Sequence, residues 1–253
     1  EASSAIGGNS ASLVMDATDL YWADWANVWT KPIGTGATAP VATSLVNFSG
    51  LLDIYANDLY AMTYVGNTSN SIAKIAIADG SMTDIITLPW YSRASIEVDA
   101  SGVYWTNMTD AVIGKSQHDG SAEVTLAAGL NSPHSLILDS GTLYWAESNG
   151  IKSMSTLGGA IATIAENVSP EYMTKDSTNF YFSEEVGSPA YYEYYIKSVS
   201  ISTGVVEVLS KIDLNSNNYI RGILVDDAHL YLLISGNQYY TPLGRILKYE
   251  KSY

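Results

Sequence analysis

One motif recurs six times along this chain, and internal repetition constrains a fold more tightly than any other sequence feature. Each copy reads as an apolar strand, usually an Asp, three turn residues and then apolar-Tyr-aromatic. In order the copies are SLVMDATDLYW (12–22), LLDIYANDLYA (51–61), SIEVDASGVYW (95–105), SLILDSGTLYW (135–145), YMTKDSTNFYF (172–182) and GILVDDAHLYL (222–232). Their tyrosines, Tyr21, Tyr60, Tyr104, Tyr144, Tyr181 and Tyr231, stand 39, 44, 40, 37 and 50 residues apart. After each motif come a variable loop and a strand with an apolar residue near a Lys. A Gly-containing turn follows, as at Asp79-Gly80, Asp119-Gly120, Gly158-Gly159 and Thr203-Gly204, and then a last apolar strand. Four short strands joined by hairpins in about forty residues make one propeller blade.

The repeats therefore predict an all-β chain, a six-bladed β-propeller of four-stranded antiparallel blades forming a single domain. The blades are expected at 11–50, 51–94, 95–134, 135–171, 172–222 and 223–253 together with 1–10. The last unit stops after its third strand. The N-terminal segment around Ala5 to Ser10 is expected to supply the missing outer strand and close the ring, because open sheet edges invite pairing with other chains. The turn acids Asp16, Asp99, Asp139, Asp176 and Asp226 read as structural: a carboxylate there accepts backbone N–H bonds two residues on. The second unit has Tyr55 at that place.

The Asp-x-x-x-Leu-Tyr-Trp-x-Asp/Glu pattern resembles the YWTD propellers of the low-density-lipoprotein receptor family and their bacterial relatives. LYWAD (20–24) is nearest, VYWTN (103–107) and LYWAE (143–147) follow, FYFSE (180–184) is looser, and LYAMT and LYLLI keep only the Leu-Tyr core. The resemblance implies the propeller fold and a recognition platform without a named ligand. The receptor propellers are flanked by Cys-rich modules, whereas this chain contains no Cys.

Acidic residues number 26 against 12 basic ones, for a formal net charge of -14. A field of that sign repels phosphate backbones and anionic membranes, so nucleic acid is excluded as a partner. It serves solubility, with a cationic partner or a metal as the sharper alternative. The absence of Cys removes disulfides, thiol catalysis and Cys-ligated zinc. No apolar run approaches the roughly 18 residues of a membrane span. The chain opens at Glu1 in a small polar stretch, which reads as a processed start and leads to the expectation of an extracytoplasmic protein, secreted, periplasmic or surface-attached.

Aromatic usage is skewed to 19 Tyr and 6 Trp against 3 Phe, which suits half-buried strands and wet binding surfaces. In a propeller, the loops between second and third strands share one face with those entering each first strand. They carry Trp25, Tyr64, Trp90, Tyr91, Tyr191 and Tyr192, and further along Tyr194, Tyr195, Tyr219, Tyr239 and Tyr240. The longest insertions, 185–195 and 211–221, both belong to the fifth repeat, and long loops on a rigid frame are where function concentrates. His134, Glu171 and Arg221 open first strands, with Arg93 one place before another; together they are expected at the channel mouth, where arginine forks suit a carboxylate. Asp53 and Glu97 lie two residues farther along their strands.

The chain has 3 His, of which His118 and His229 fall in predicted turns. It lacks the HExxH and GxSxG motifs and a Gly-rich phosphate loop, so no catalytic residue is assigned. The favoured reading is a non-enzymatic recognition module binding a glycan, peptide or protein through the aromatic loop face. The alternatives are a structural or assembly unit of a cell-surface structure, and a metal-dependent hydrolase or lyase using Asp53, Glu97 and Glu171. No cofactor is expected. Asp213-Leu-Asn215-Ser-Asn217 matches half of a calcium loop, but Asn218 stands where Gly belongs and Leu224 where Glu belongs. Asn47, Asn67, Asn107 and Asn167 fit the glycosylation triplet.

Overall fold

Every repeat becomes an antiparallel meander in the computed structural model, which describes residues 13–23, 27–43, 48–65, 69–89, 95–188, 191–212, 214, 218–236 and 245–251. The chain divides into two compact units, 1–138 and 139–253. The first sheet runs β1 (Leu13–Met15), β2 (Asp19–Ala23), β3 (Val28–Pro32), β4 (Ala39–Ala42). The second runs β5 (Phe48–Tyr55), β6 (Asp58–Val65), β7 (Ser69–Ala76), β8 (Met82–Pro89), and the third β9 (Ile96–Asp99), β10 (Gly102–Asn107), β11 (Val112–Ser116), β12 (Val124–Ala128). The fourth contains β13 (His134–Asp139), β14 (Thr142–Glu147), β15 (Gly150–Ser155) and β16 (Ala162–Glu166). The fifth contains β17 (Tyr172–Lys175), β18 (Asn179–Ser188), β19 (Tyr191–Ser200) and β20 (Val206–Ile212). Three strands make the sixth among the described residues: β21 (Asn218–Val225), β22 (His229–Gly236) and β23 (Arg245–Glu250). Six successive meanders constitute an all-β, six-bladed propeller fold. The expected closing strand around Ala5 to Ser10 lies outside the described residues.

The motif strands are the most deeply buried. Leu59, Tyr60 and Ala61 are buried in β6, as are Val103, Tyr104 and Trp105 in β10 and Phe180, Tyr181 and Phe182 in β18. Successive strand residues point to opposite faces, so a run of buried neighbours needs cover on both. The clusters provide it. Leu59 packs with Tyr21, Val28 and Leu52, while Tyr60 packs with Ile96, Val103 and Trp105. This is why the motif reads as continuously apolar rather than alternating.

The turn acids act as expected in four sheets. Asp16, Asp99, Asp176 and Asp226 accept N–H bonds from Thr18, Ser101, Thr178 and Ala228 at 2.7, 2.7, 2.8 and 2.8 Å. Three of them also accept the motif tyrosine's hydroxyl: Asp16 from Tyr21 (3.0 Å), Asp176 from Tyr181 (2.9 Å) and Asp226 from Tyr231 (2.7 Å). The five-residue spacing between Asp and Tyr therefore has a direct cause. Asp139 differs, accepting from Ser140 Oγ at 2.8 Å and Lys175 Nζ at 2.5 Å.

Lys251 Nζ donates to Asp176 at 2.8 Å, with only 5% of its side chain exposed. Burial works against ionising Asp176, yet the Lys251 ammonium, the Thr178 and Asn179 N–H groups and the Tyr181 hydroxyl hold its carboxyl well below the usual range. Lys251→Met is expected to cost about 2 kcal/mol, because it leaves a partly buried carboxylate without its cation. A urea titration checks this, and an unchanged midpoint refutes it.

Outer strands carry a second regularity. In five sheets one extra residue is inserted opposite the third strand: Val41, Ile85, Leu126, Ile164 and Leu209. Such bulges bend a strand and leave backbone groups outside the ladder. Gly80 packs on the carbonyl oxygen of Val41 and Gly120 on that of Ile85 in the first unit, and Gly204 on that of Ile164 in the second. The hairpin glycine of one repeat thus meets the bulge of the repeat before it.

Candidate ligand-binding site

The fifth sheet is built on an unusually long hairpin. β18 and β19 pair along ten residues each, while β17 reaches only Phe180 to Ser183. In this ladder Glu185 faces Tyr194 and Ser183 faces Ile196, so Ser183, Glu185 and Tyr194 share one face. That face packs on β21, where Tyr194 joins Ile220 and Ile223, with Tyr172 and Tyr219 at the margin. The other face is lashed down. Glu193 accepts from the Tyr195 hydroxyl (2.8 Å) and from Lys211 (2.6 Å), and Glu184 from the Ser169 N–H (2.8 Å) and from Lys197.

Arg221 is the inserted residue of a bulge in β21, because Ile220 faces Ile234 while Gly222 faces Leu233. Bulges re-aim side chains. Here the exposed guanidinium lies 5.3 Å from the centroid of the Tyr219 ring, a cation–π contact. On one face of the hairpin lie two buried hydroxyls, Tyr194 at 3% exposure and Ser183 at 1%; the Tyr194 hydroxyl lies against the Glu185 carboxylate, and the Ser183 hydroxyl meets no hydrogen-bond partner. Burial, and then the adjacent Glu185 carboxylate, push the Tyr194 phenol well above its ordinary value, with Arg221 pulling the other way. The phenol is therefore a standing proton donor at neutral pH. The arrangement offers a cation on an aromatic shelf, a pairing suited to holding a ligand.

Of the residues expected from sequence, Arg221 sits at the centre of this arrangement. Glu171 is exposed, and its N–H donates to the Ser183 carbonyl at 2.8 Å. Tyr191 and Tyr192 occupy β19 opposite Ser188 and Gly187, and Tyr64 occupies β6 opposite Asn70. His134 opens β13, its Nδ1 2.7 Å from the Ser132 carbonyl oxygen. Trp25, Trp90, Tyr91, Arg93, Tyr239 and Tyr240 lie outside the described residues, as do Asp213, Asn215 and Asn217 of the half calcium loop, and Asn47 and Asn67. Asn107 is buried at 2% and donates to Asp110, so it is closed to modification; Asn167 is exposed. Sequence reasoning missed Ser183 and Glu185. The trace of the bulge was present in Arg221-Gly222, since a Gly inside a strand often marks one.

Asp53 and Glu97 are engaged elsewhere. Asp53 accepts the Ile54 N–H at 2.8 Å and the Val98 N–H at 2.7 Å, and Glu97 accepts the Leu138 N–H. Each acid ties its own strand to the first strand of the following repeat. Burial raises the Asp53 carboxyl to about 6 against those two bonds, and burial followed by the Asp53 charge raises Glu97 well above the usual range. Among the described residues no group of three or more His, Asp or Glu side chains is placed to hold a metal ion.

No protein-family model matches this sequence, and no curated protein does. Solved structures do match it. A chain of a nidogen/laminin complex is 18% identical over 91% of this chain and 93% of that one, with a TM-score of 0.62. An oligogalacturonate lyase solved with manganese is 11% identical over 98% and 79%, with a TM-score of 0.67. The computationally designed Ika8 protein is 11% identical over 95% and 83%, with a TM-score of 0.58. The likeness is one of fold. A protein complex, an enzyme and a designed chain stand together here, and propellers host many unrelated functions.

Proposed function

We propose that this propeller is a non-enzymatic recognition module that grips a protein, peptide or glycan through the surface formed by Tyr219 and Arg221. One observation carries the reading: the exposed Arg221 guanidinium lies on the Tyr219 ring, 5.3 Å from its centroid. Arg and Tyr are also the side chains that dominate binding hot spots. The nidogen/laminin complex gives a protein-binding context for a chain of similar fold. The resemblance of LYWAD and its sister motifs to receptor propellers points the same way, and an extracytoplasmic setting belongs to the same reading. Glycan and peptide arrays probed with the wild type, Arg221→Ala and Tyr219→Ala test it. Each variant is expected to lose at least tenfold in affinity for whatever the wild type captures, since truncating a hot spot costs about 2 kcal/mol or more. Unchanged capture by both would remove this surface from consideration.

A further inference from the structure

We propose that a cleft between the first and second repeats binds a primary ammonium on an alkyl stem, held between the Asp19 and Asp79 carboxylates. None of its residues belongs to the Tyr219–Arg221 surface.

The other repeats show what such a place holds. In the second repeat Lys74 stands directly opposite Tyr60, and its ammonium pairs with Asp58 at 2.8 Å. The Ser121 hydroxyl and N–H hold the Asp119 carboxyl below its usual value, and the Lys74 charge adds to them. One ammonium thus serves Asp58, at the head of β6, and Asp119, in the hairpin of the following repeat. The remaining motif tyrosines also have a lysine beside them. Lys115 lies 4.9 Å from the Tyr104 ring centroid, Lys175 5.8 Å from Tyr144, Lys251 5.6 Å from Tyr181 and Lys248 5.8 Å from Tyr231.

The first repeat keeps the anions and lacks the cation. Asp19 heads β2 as Asp58 heads β6, and Asp79 accepts the Ser81 N–H as Asp119 accepts that of Ser121, each at 2.9 Å. Opposite Tyr21, however, stands the short, uncharged Thr30. Thr18 Oγ1 donates to Asp19 at 2.7 Å, but neither Asp19 nor Asp79 forms an ion pair among the described residues. At the place corresponding to Lys74 there is a cleft of about 400 Å³, bordered by Asp19, Tyr21, Thr30 and Asp79. Burial, then the Asp16 and Asp19 carboxylates, push the Tyr21 phenol up to about 12. The surroundings are anionic, and no lysine answers them from within.

The lining selects the ligand. Asp19 is partly exposed and Asp79 exposed, so both are reached from solvent. Pro40 and Ile77 border the same cleft and suit an alkyl stem, since lysine packs its methylenes on apolar surface while its head stays with polar groups. An ammonium has three donors and satisfies two carboxylates at once. A calcium ion takes about six to eight oxygens, more than two acids supply. The formal charge of -14 favours the approach of a cation from any side.

The experiment titrates the full, 15N-labelled chain at low ionic strength with four probes: acetyl-Ala-Lys-Ala-amide, its norleucine counterpart, n-butylamine and calcium chloride. The Ser81 N–H reports on Asp79, and the Ser121 N–H, bonded the same way to Asp119, is the internal reference. The Lys peptide is expected to shift Ser81 and not Ser121, and to bind about tenfold more tightly than the norleucine peptide. Thr30→Lys supplies the ammonium from within, so it should weaken Lys-peptide binding about tenfold and melt no earlier than wild type. Asp79→Asn keeps the acceptor for Ser81 and should weaken binding about fivefold. Butylamine binding as tightly as the Lys peptide assigns the site to free amines, and weaker binding assigns it to a lysine side chain of a partner; both uphold the ammonium. Equal binding of the norleucine peptide, tighter binding of calcium, no shift at Ser81, or wild-type affinity in Asp79→Asn would each overturn the proposal. So would wild-type affinity in a folded Thr30→Lys. Capture that depends on Arg221 and Tyr219 would stand through any of these results, because the two sites share no residue.

Discussion

Gly120→Ala is expected to destabilise the chain by about 3 kcal/mol, one of the largest losses available to a single added methyl. Two separate effects add. Gly120 has φ +83, a conformation that costs an L residue about 1 kcal/mol. Its Cβ would also overlap the carbonyl oxygen of Ile85, and because that atom is backbone, β8 or the hairpin itself has to move. Overpacking of this kind costs about 1–3 kcal/mol. Gly129 separates the two effects. It has φ +71, nearly the same conformation, and nothing lies within 4 Å of where its Cβ would go. Gly129→Ala should therefore lose only the conformational part, about 1 kcal/mol. Urea midpoints of the two variants decide the matter. Equal losses would mean that the joint between hairpin and bulge contributes nothing.

A comparable effect is expected from pH, and its sign is opposite to that of most paired carboxylates. Burial raises Asp53 from 3.8 to about 6. Below about pH 4 the carboxyl is protonated whether the chain is folded or not, and no penalty exists. As pH climbs toward 6 the unfolded chain releases the proton first, and stability falls by about 3 kcal/mol, at 1.36 kcal/mol for each tenfold. Glu97, raised well above its ordinary value by burial and by Asp53, extends the fall to higher pH. Asp16, Asp139 and Asp176 are shifted the other way, the first by backbone N–H bonds, the second by Lys175, the third by its cation and donors against burial. Their contribution is present above about pH 4 and is lost as pH drops through their lowered values. The two limbs place maximum stability at mildly acidic pH, about 4–5. Asp53→Asn combined with Glu97→Gln should flatten the upper limb and stabilise the protein at pH 7–8 by about 3 kcal/mol, since the amide oxygens still accept the Val98 and Leu138 N–H bonds. Thermal melts from pH 4 to 8 test this, and a double variant with the wild-type slope would refute it.

The fold was legible because its signal is repeated. Any one copy of the motif is an ordinary strand-turn-strand. Six copies at near-constant spacing leave few architectures, and the Asp-to-Tyr interval encodes a hydrogen bond that Asp16, Asp176 and Asp226 each form. What crosses from one repeat to the next was not legible. Asp119-Gly120 reads as a hairpin turn, and nothing in the letters says that the glycine also abuts Ile85. Asp53 and Glu97 read as acids of the kind that hold metals, because a strand pattern gives the face of a side chain but not which N–H of the neighbouring repeat it meets. The site was half visible. Tyr194 and Tyr219 stood out through aromatic density and Arg221 through its place at the opening of a first strand, whereas Ser183 is a serine among many. Trp25, Trp90, Tyr91, Arg93, Tyr239 and Tyr240 stand as expectations from sequence alone.

The pairing of hairpin glycine with outer-strand bulge bears on how such a chain can lengthen or shorten over evolutionary time. Where socket and plug recur, as they do in three pairs of successive repeats, a segment copied or deleted at the tyrosine-to-tyrosine period carries one of each, and the new seam is born matched. Gene duplication within the array then demands no simultaneous adjustment of two partners. Ancestral copies were free to drift elsewhere, which is consistent with six units sharing so little besides a turn and a tyrosine.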